Sequence, residues 1–247
     1  ILNEKLGDDK YTDLLAISFS PIDYIGHFYG PHSVEMEDAI IQLDAELASF
    51  FEFVKKNVGD DVLYFLTADH GAVNVPKYLT DQKVPSGYFD AKACVNLINS
   101  QFKALYKVDS IVENYSNFQL KISKNIVDKY KLKSDLVQNK IIEIISGFAG
   151  VKEVLVIDEL KQGAASDMGR KVLNGYFKGR SGDYYIVLKP GWVHHIGKGT
   201  THGSGYSYDT HVPLLFMGSG VKHGSSNQPV NIRDIAPTIT TLINVSF

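Results

Sequence analysis

The chain has 247 residues, 44% of them hydrophobic and 21% charged, with 25 basic against 28 acidic side chains for a net charge of −3. This is one large domain or two small ones with a real core, not a disordered tail. The charge balance argues against a nucleic-acid partner, which wants a basic face, and the single cysteine, Cys94, rules out an intramolecular disulfide or a cysteine-rich zinc site.

No apolar run reaches the roughly 18 residues that a membrane span needs. The chain begins at Ile1, with no charged region followed by an apolar one ahead of the first predicted element. Either a signal peptide has been removed or the chain is a piece of a longer protein, and the motifs below favour the second reading.

Residues 13–20 form a short apolar run ending in small polar residues, which predicts a buried strand feeding a loop over 21–31. Ser33 then stands as a helix N-cap, with Glu35, Glu37 and Asp38 where the helix dipole favours acids. Ile40, Leu43, Leu47, Phe50, Phe51 and Val54 recur at helical spacing, and Gly59 ends the helix. Residues 62–67 are again an apolar strand, ending in Ala68, Asp69, His70 and Gly71. Strand, helix and strand at this spacing predict a βαβ unit with parallel strands.

The middle of the chain differs. It predicts a helix over 90–105, an alternating strand over 118–122, a helix over 134–145, and strands over 151–157 and 184–188. This block is richer in lysine and has no cluster of possible ligands. The last quarter resembles the first in pattern, with a glycine- and threonine-rich loop over 197–205, a buried strand over 212–218, and a final helix from Asp234 to about Ile243 with Pro237 in its first turn. The expected architecture is α/β, a mostly parallel sheet with flanking helices. Residues 1–87 and 181–247 form a metal-binding core, and a small α+β insertion occupies 88–180.

The residues that carry chemistry cluster after predicted strands, where parallel α/β sheets bind ligands. Asp23 and His27 stand ahead of Gly30 and Pro31, Asp69 and His70 ahead of Gly71, and His202 in the loop Gly199–Gly203. Each taken alone has a plainer reading: a turn or capping aspartate, a packed or surface histidine. Their recurrence at strand ends beside glycines raises the metal reading above it. Histidine with carboxylate and no cysteine suits a catalytic zinc site, with manganese or iron behind it. His211 is a further candidate, although it enters a strand and could simply pack there. His32, the His194–His195 pair and His223 read as structural or surface residues.

At these residues the sequence resembles a known family. Residues 20–31 resemble the D-x-x-G-H-x-x-G-P segment of the type I phosphodiesterase/nucleotide pyrophosphatase branch of the alkaline phosphatase superfamily, and residues 67–71 its T-x-D-H-G segment. Residues 201–206 and 209–214 are similar to the closing motif of bacterial alkaline phosphatases with a threonine nucleophile, and 234–238 to the last helix of the family.

The resemblance implies an alkaline-phosphatase-like fold and two zinc ions. Asp23, His27 and His202 would hold one ion and Asp69 and His70 the other, with His211 in reserve. It implies hydrolysis of a phosphate monoester through a covalent phospho-enzyme, with phosphodiester or nucleotide pyrophosphate cleavage as the alternative. The threonine or serine nucleophile and a further metal-binding aspartate are expected upstream of these motifs, in an N-terminal half that this chain lacks. The chain alone is therefore expected to have little or no phosphatase activity, and an inactive metal-binding remnant stays open. A sulfatase relative is disfavoured, because that branch needs a modified nucleophile and usually binds calcium through oxygens. The habit of the family implies a periplasmic or secreted setting.

Overall fold

The computed structural model of the chain describes residues 1–163, 166–194 and 197–243. Its elements are α1 (Pro21–Tyr29), α2 (Val34–Asn57), β1 (Leu63–Thr67), α3 (Pro76–Asp81), β2 (Gly87–Tyr88), α4 (Ala91–Tyr106), β3 (Val112–Ser116), β4 (Gln119–Ile122) and α5 (Lys124–Lys129). They continue as α6 (Ser134–Ser146), β5 (Val151–Val156), α7 (Ile157–Leu160), α8 (Asp167–Asn174), β6 (Tyr184–Leu188), β7 (Trp192–Val193), α9 (Ser207–Thr210), β8 (Leu214–Gly218), a 3-10 turn (Ile232–Asp234) and α10 (Ile235–Leu242). The chain divides into two compact units. Ile1–Ser20, Asp38–Asp69 and Val212–Phe247 make the first; Pro21–Glu37 and His70–His211 make the second.

The first unit is built on an antiparallel ladder of β1 and β8, from Leu63 opposite Gly218 to Thr67 opposite Leu214. Phe51 of α2 meets Tyr64 edge-on, with ring centroids 4.8 Å apart. Residues 13–20, expected as a buried strand, are exposed and form none. Strand backbone must pair its N–H and C=O groups in a ladder, and among the described residues β1 pairs with β8 alone. The expected parallel βαβ pairing is therefore not formed. Asp13 instead folds back to accept the Gly7 N–H at 2.8 Å. Nor is β8 buried as expected, because a ladder of two short strands gives its side chains few neighbours. Leu215, opposite Leu66, keeps 60% of its surface open.

The second unit holds a four-stranded sheet in the order β3-β4-β6-β5, with every neighbouring pair antiparallel. A single parallel ladder is present among the described residues, the short pair β2–β7. The sheets are thus mixed, not mostly parallel. The parallel expectation rests on continuous apolar runs such as 184–188, and such a run reports burial on both faces of a strand, whichever way its neighbours point. The helices expected over 90–105 and 134–145 are α4 and α6, and the strands over 118–122, 151–157 and 184–188 are β4, β5 and β6.

Asp90 caps α4 by accepting the Ala93 N–H at 2.8 Å. Ile98 and Phe102 of α4 meet Ile141 and Ile145 of α6 in one buried cluster with Leu120 and Ile186 of the sheet. The stretch 88–180 lies wholly inside this unit, and β6, beyond residue 180, is an inner strand of its sheet.

Residues 21–31, expected as a loop, begin with the helix α1. Pro21 stands at its first position, where a missing N–H costs nothing and the fixed φ already suits a helix. Asp23 lies in the first turn, where the dipole favours an acid. Ser33 does cap α2 as expected: its Oγ accepts the Met36 N–H at 3.2 Å. No helix among the described residues is long and apolar enough to cross a membrane.

Ile141 is fully buried in the main cluster. Ile141→Ala should therefore lower the unfolding free energy of the second unit by about 2–5 kcal/mol. Urea unfolding followed by circular dichroism reads this directly, and an unchanged midpoint would show that the position is not core.

Candidate metal centre

The helical state of α1 is what makes Asp23 and His27 a pair. Four residues apart, they stand one above the other on the same helix face, with His27 Nε2 3.5 Å from Asp23 Oδ2. The other oxygen, Oδ1, faces two more histidines: His70 Nε2 at 3.9 Å and His202 Nε2 at 3.8 Å. The His70 and His202 rings stack, with centroids 3.3 Å apart, and the His27 ring lies 5.1 Å from that of His202. One carboxylate is thus shared by three imidazoles from three segments of the chain.

Backbone bonds hold these segments in place. Thr200 N–H donates to His27 O at 3.0 Å, and the Thr200 carbonyl faces His27 Nδ1 at 2.9 Å. Thr200, fully buried, anchors the loop further by donating its hydroxyl to Val73 O at 2.7 Å. Gly199 lets the two strands of chain approach: a Cβ there would sit 2.1 Å from His27 O. On the other side, Gly71 N–H donates to Asp209 O at 2.8 Å. A Cβ on Gly71 would lie 2.2 Å from Tyr208 O. At Gly71 the close approach alone calls for glycine, while Gly199 also takes a left-handed φ of 71° that favours it.

The hydrogen bonds set the tautomers. A carbonyl accepts only, so a ring nitrogen facing one must carry the proton. His27 Nδ1 faces Thr200 O, and His70 Nδ1 faces Gly71 O at 3.0 Å. Their Nε2 atoms then face Asp23. Metal-binding histidines are held in this way, the second nitrogen donating to a carbonyl. Among the described residues, Asp23, His70 and His202 offer ligand atoms that all lie within 4.8 Å of one another. The residues present fit a cation with nitrogen and oxygen ligands.

Burial pushes the His202 pKa below the ordinary histidine value, and the neighbouring His70 pushes it the same way; Asp23 pulls it up, His27 down and Asp209 up. His202 is thus biased towards the neutral form that a metal ligand needs.

Of the residues singled out by sequence, the structure brings together Asp23, His27, His70 and His202. His70 and His202 both face the same Asp23 oxygen. Asp69 is exposed and belongs to the first unit. His211 is exposed just after α9 and donates its N–H to Ser207 O. His32 stacks on Tyr78 and meets Asn74 Oδ1. His194 lies against the Tyr115 and Phe118 rings, and His223 is exposed. His195 falls outside the described residues. Asp209, buried with 4% of its surface open, was missed. Its place two residues before His211 drew attention to the histidine instead, although an acid among Tyr208, Thr210 and Val212 is the rarer choice for a buried position.

A sequence model of the type I phosphodiesterase / nucleotide pyrophosphatase family matches residues 2–212. The chain belongs to this family. It is 37% identical over 253 residues to a protein of Myroides odoratus named calcium-transporting ATPase, covering 100% of this chain and 46% of that protein. It is 37% identical over 246 residues to the alkaline phosphatase PafA of Elizabethkingia meningoseptica, covering 98% of this chain and 45% of that protein. The crystal structure of wild-type alkaline phosphatase PafA superposes with a TM-score of 0.92 at 37% identity, over 99% of this chain and 47% of that one. The α/β fold is therefore that of an alkaline phosphatase, and the chain spans about half the length of the curated relatives it matches.

In the metal-free protein, His202 should titrate below the ordinary histidine value of about 6.5. Asp23→Asn should move its midpoint lower still, because the Asp23 charge raises it, and His70→Ala should move it up. Histidine ring NMR against pH checks both signs.

Proposed function

We propose that this chain carries metal-binding residues of a zinc-dependent phosphate monoester hydrolase of the alkaline phosphatase type. The observation that supports this most is the convergence of three Nε2 atoms on the two oxygens of Asp23, in a chain of this family that is 37% identical to an alkaline phosphatase. Zinc suits the donor set: imidazole nitrogens with a carboxylate and no thiolate. Calcium or magnesium would call for oxygens almost throughout.

Asp23, His27 and His202 hold one ion in this reading, and His70, 3.9 Å from the same carboxylate, stands beside them. Two ions are proposed for the complete enzyme, with Asp69 and His70 at the second, as the resemblance implies. Zinc, when bound, would offset charge on the phosphoryl oxygens and on the attacking and leaving oxygens. The residues of this chain orient that centre: the Nδ1–carbonyl bonds fix the rings, and the bonds of Thr200 hold its loop against α1. The nucleophile is assigned to no residue of this chain. The substrate is a phosphate ester whose organic part is left unspecified, and we propose the periplasmic or secreted setting on the habit of the family alone. Residues 88–180 are proposed as the insertion that shapes access to the site.

Phosphodiester or nucleotide pyrophosphate cleavage is the second reading, favoured by the match to the type I phosphodiesterase family.

Elemental analysis of the purified chain should find about one zinc, and Asp23→Ala should lose it. A folded chain without zinc, after incubation with the ion, would overturn the metal reading. Turnover by the zinc-loaded chain is expected to be weak. Where measured, 4-nitrophenyl phosphate should be cleaved faster than bis(4-nitrophenyl) phosphate, and the opposite order would favour the diesterase.

A further inference from the structure

We propose that Asp209 is a positioning residue for the metal centre, its buried charge set beside His70 and His202 to strengthen their hold on a cation. This inference rests on the metal reading above.

Asp209 is bonded to the neighbours of both histidines. Its Oδ2 accepts the Ser204 N–H at 2.7 Å, two residues after His202. Its main-chain oxygen accepts the Gly71 N–H at 2.8 Å, one residue after His70. The residue therefore ties the two ligand-bearing loops to one point. The glycine at 71 permits this, since any Cβ would strike the backbone of Tyr208, the residue before Asp209.

The bonds to the loops do not require a charge. An asparagine could accept the same Ser204 N–H. What the carboxylate adds is a second oxygen, Oδ1, which is buried and has no hydrogen-bond partner. Leaving an ionised oxygen so enclosed is costly to the fold. Burial indeed pushes the Asp209 pKa up, while the hydrogen bonds from Ser204 and the nearby His202 and His70 pull it down. Those two histidines stand in the loops that Asp209 ties together. A cation held by them would offset the buried anion, and nothing at Oδ1 offsets it otherwise. The expected pattern is a residue that costs the metal-free fold stability and returns it as affinity. Carboxylates next to ligating histidines act in this way in metal sites generally.

The test is Asp209→Asn in the 247-residue chain, stripped of metal at pH 8, with two readouts. Zinc titration by calorimetry should give an affinity about 10–100-fold weaker than that of the unaltered chain. The melting temperature of the metal-free variant should equal or exceed that of the metal-free parent. Equal zinc affinity in the two proteins would overturn the role of Asp209 while leaving the metal reading intact. Weaker binding with a lower metal-free melting temperature, or a variant that fails to fold, would also overturn it, by showing a plain structural role. If the unaltered chain binds no zinc, the metal reading fails first and this inference falls with it.

Discussion

One carboxylate with two oxygens organises the site. Asp23 gives Oδ2 to His27 and Oδ1 to His70 and His202. Three imidazoles so close together would repel one another if protonated, and they would have no reason to gather if each were solvated singly. A negative charge at their centre makes the gathering tolerable, and a cation would make it favourable. The arrangement depends on α1 being a helix, because one helical turn brings residues 23 and 27 together, whereas a strand would hold them about 13 Å apart.

The histidines reach that carboxylate through backbone, not through side-chain packing. Thr200 and His27 exchange bonds across 173 positions of sequence, and Gly71 binds Asp209. Such contacts require the chains to lie closer than a side chain permits, which is the reason for glycine at 71 and, together with a positive φ, at 199. The hydrophobic cluster around α4 and α6 supplies a separate function in the same unit: it makes the sheet that ends near residue 188 a firm base for the loop that follows. Tyr206 shows the link, donating its hydroxyl to Leu188 O at 2.8 Å.

Buried Asp209 belongs to the same logic. A packed interior selects against an ionised oxygen with no partner, so its presence between two ligand-bearing loops points to a demand other than stability. His70 and His202 lie in those same loops.

Much of the site was legible in the sequence because its chemistry is local. Asp and His at short spacing beside glycine can be recognised without knowing the fold, and so can the helical and strand periods of residues 90–157. The final helix and the Ser33 cap were legible for the same reason. What the sequence could not settle was pairing. Residues 13–20 are apolar enough for a strand, but a strand exists only with a partner, and the partner of β1 is β8, some 150 positions away. The direction of the sheets was hidden likewise, since an apolar run such as 184–188 reports burial and not orientation. The joining of His70 to His202, and the placing of Asp209 between their loops, came from long-range backbone bonds that leave no period in the sequence. Residue types are set by local chemistry and were read directly; which of them meet is set by closure of the chain over more than a hundred residues, and only the tertiary structure decided it.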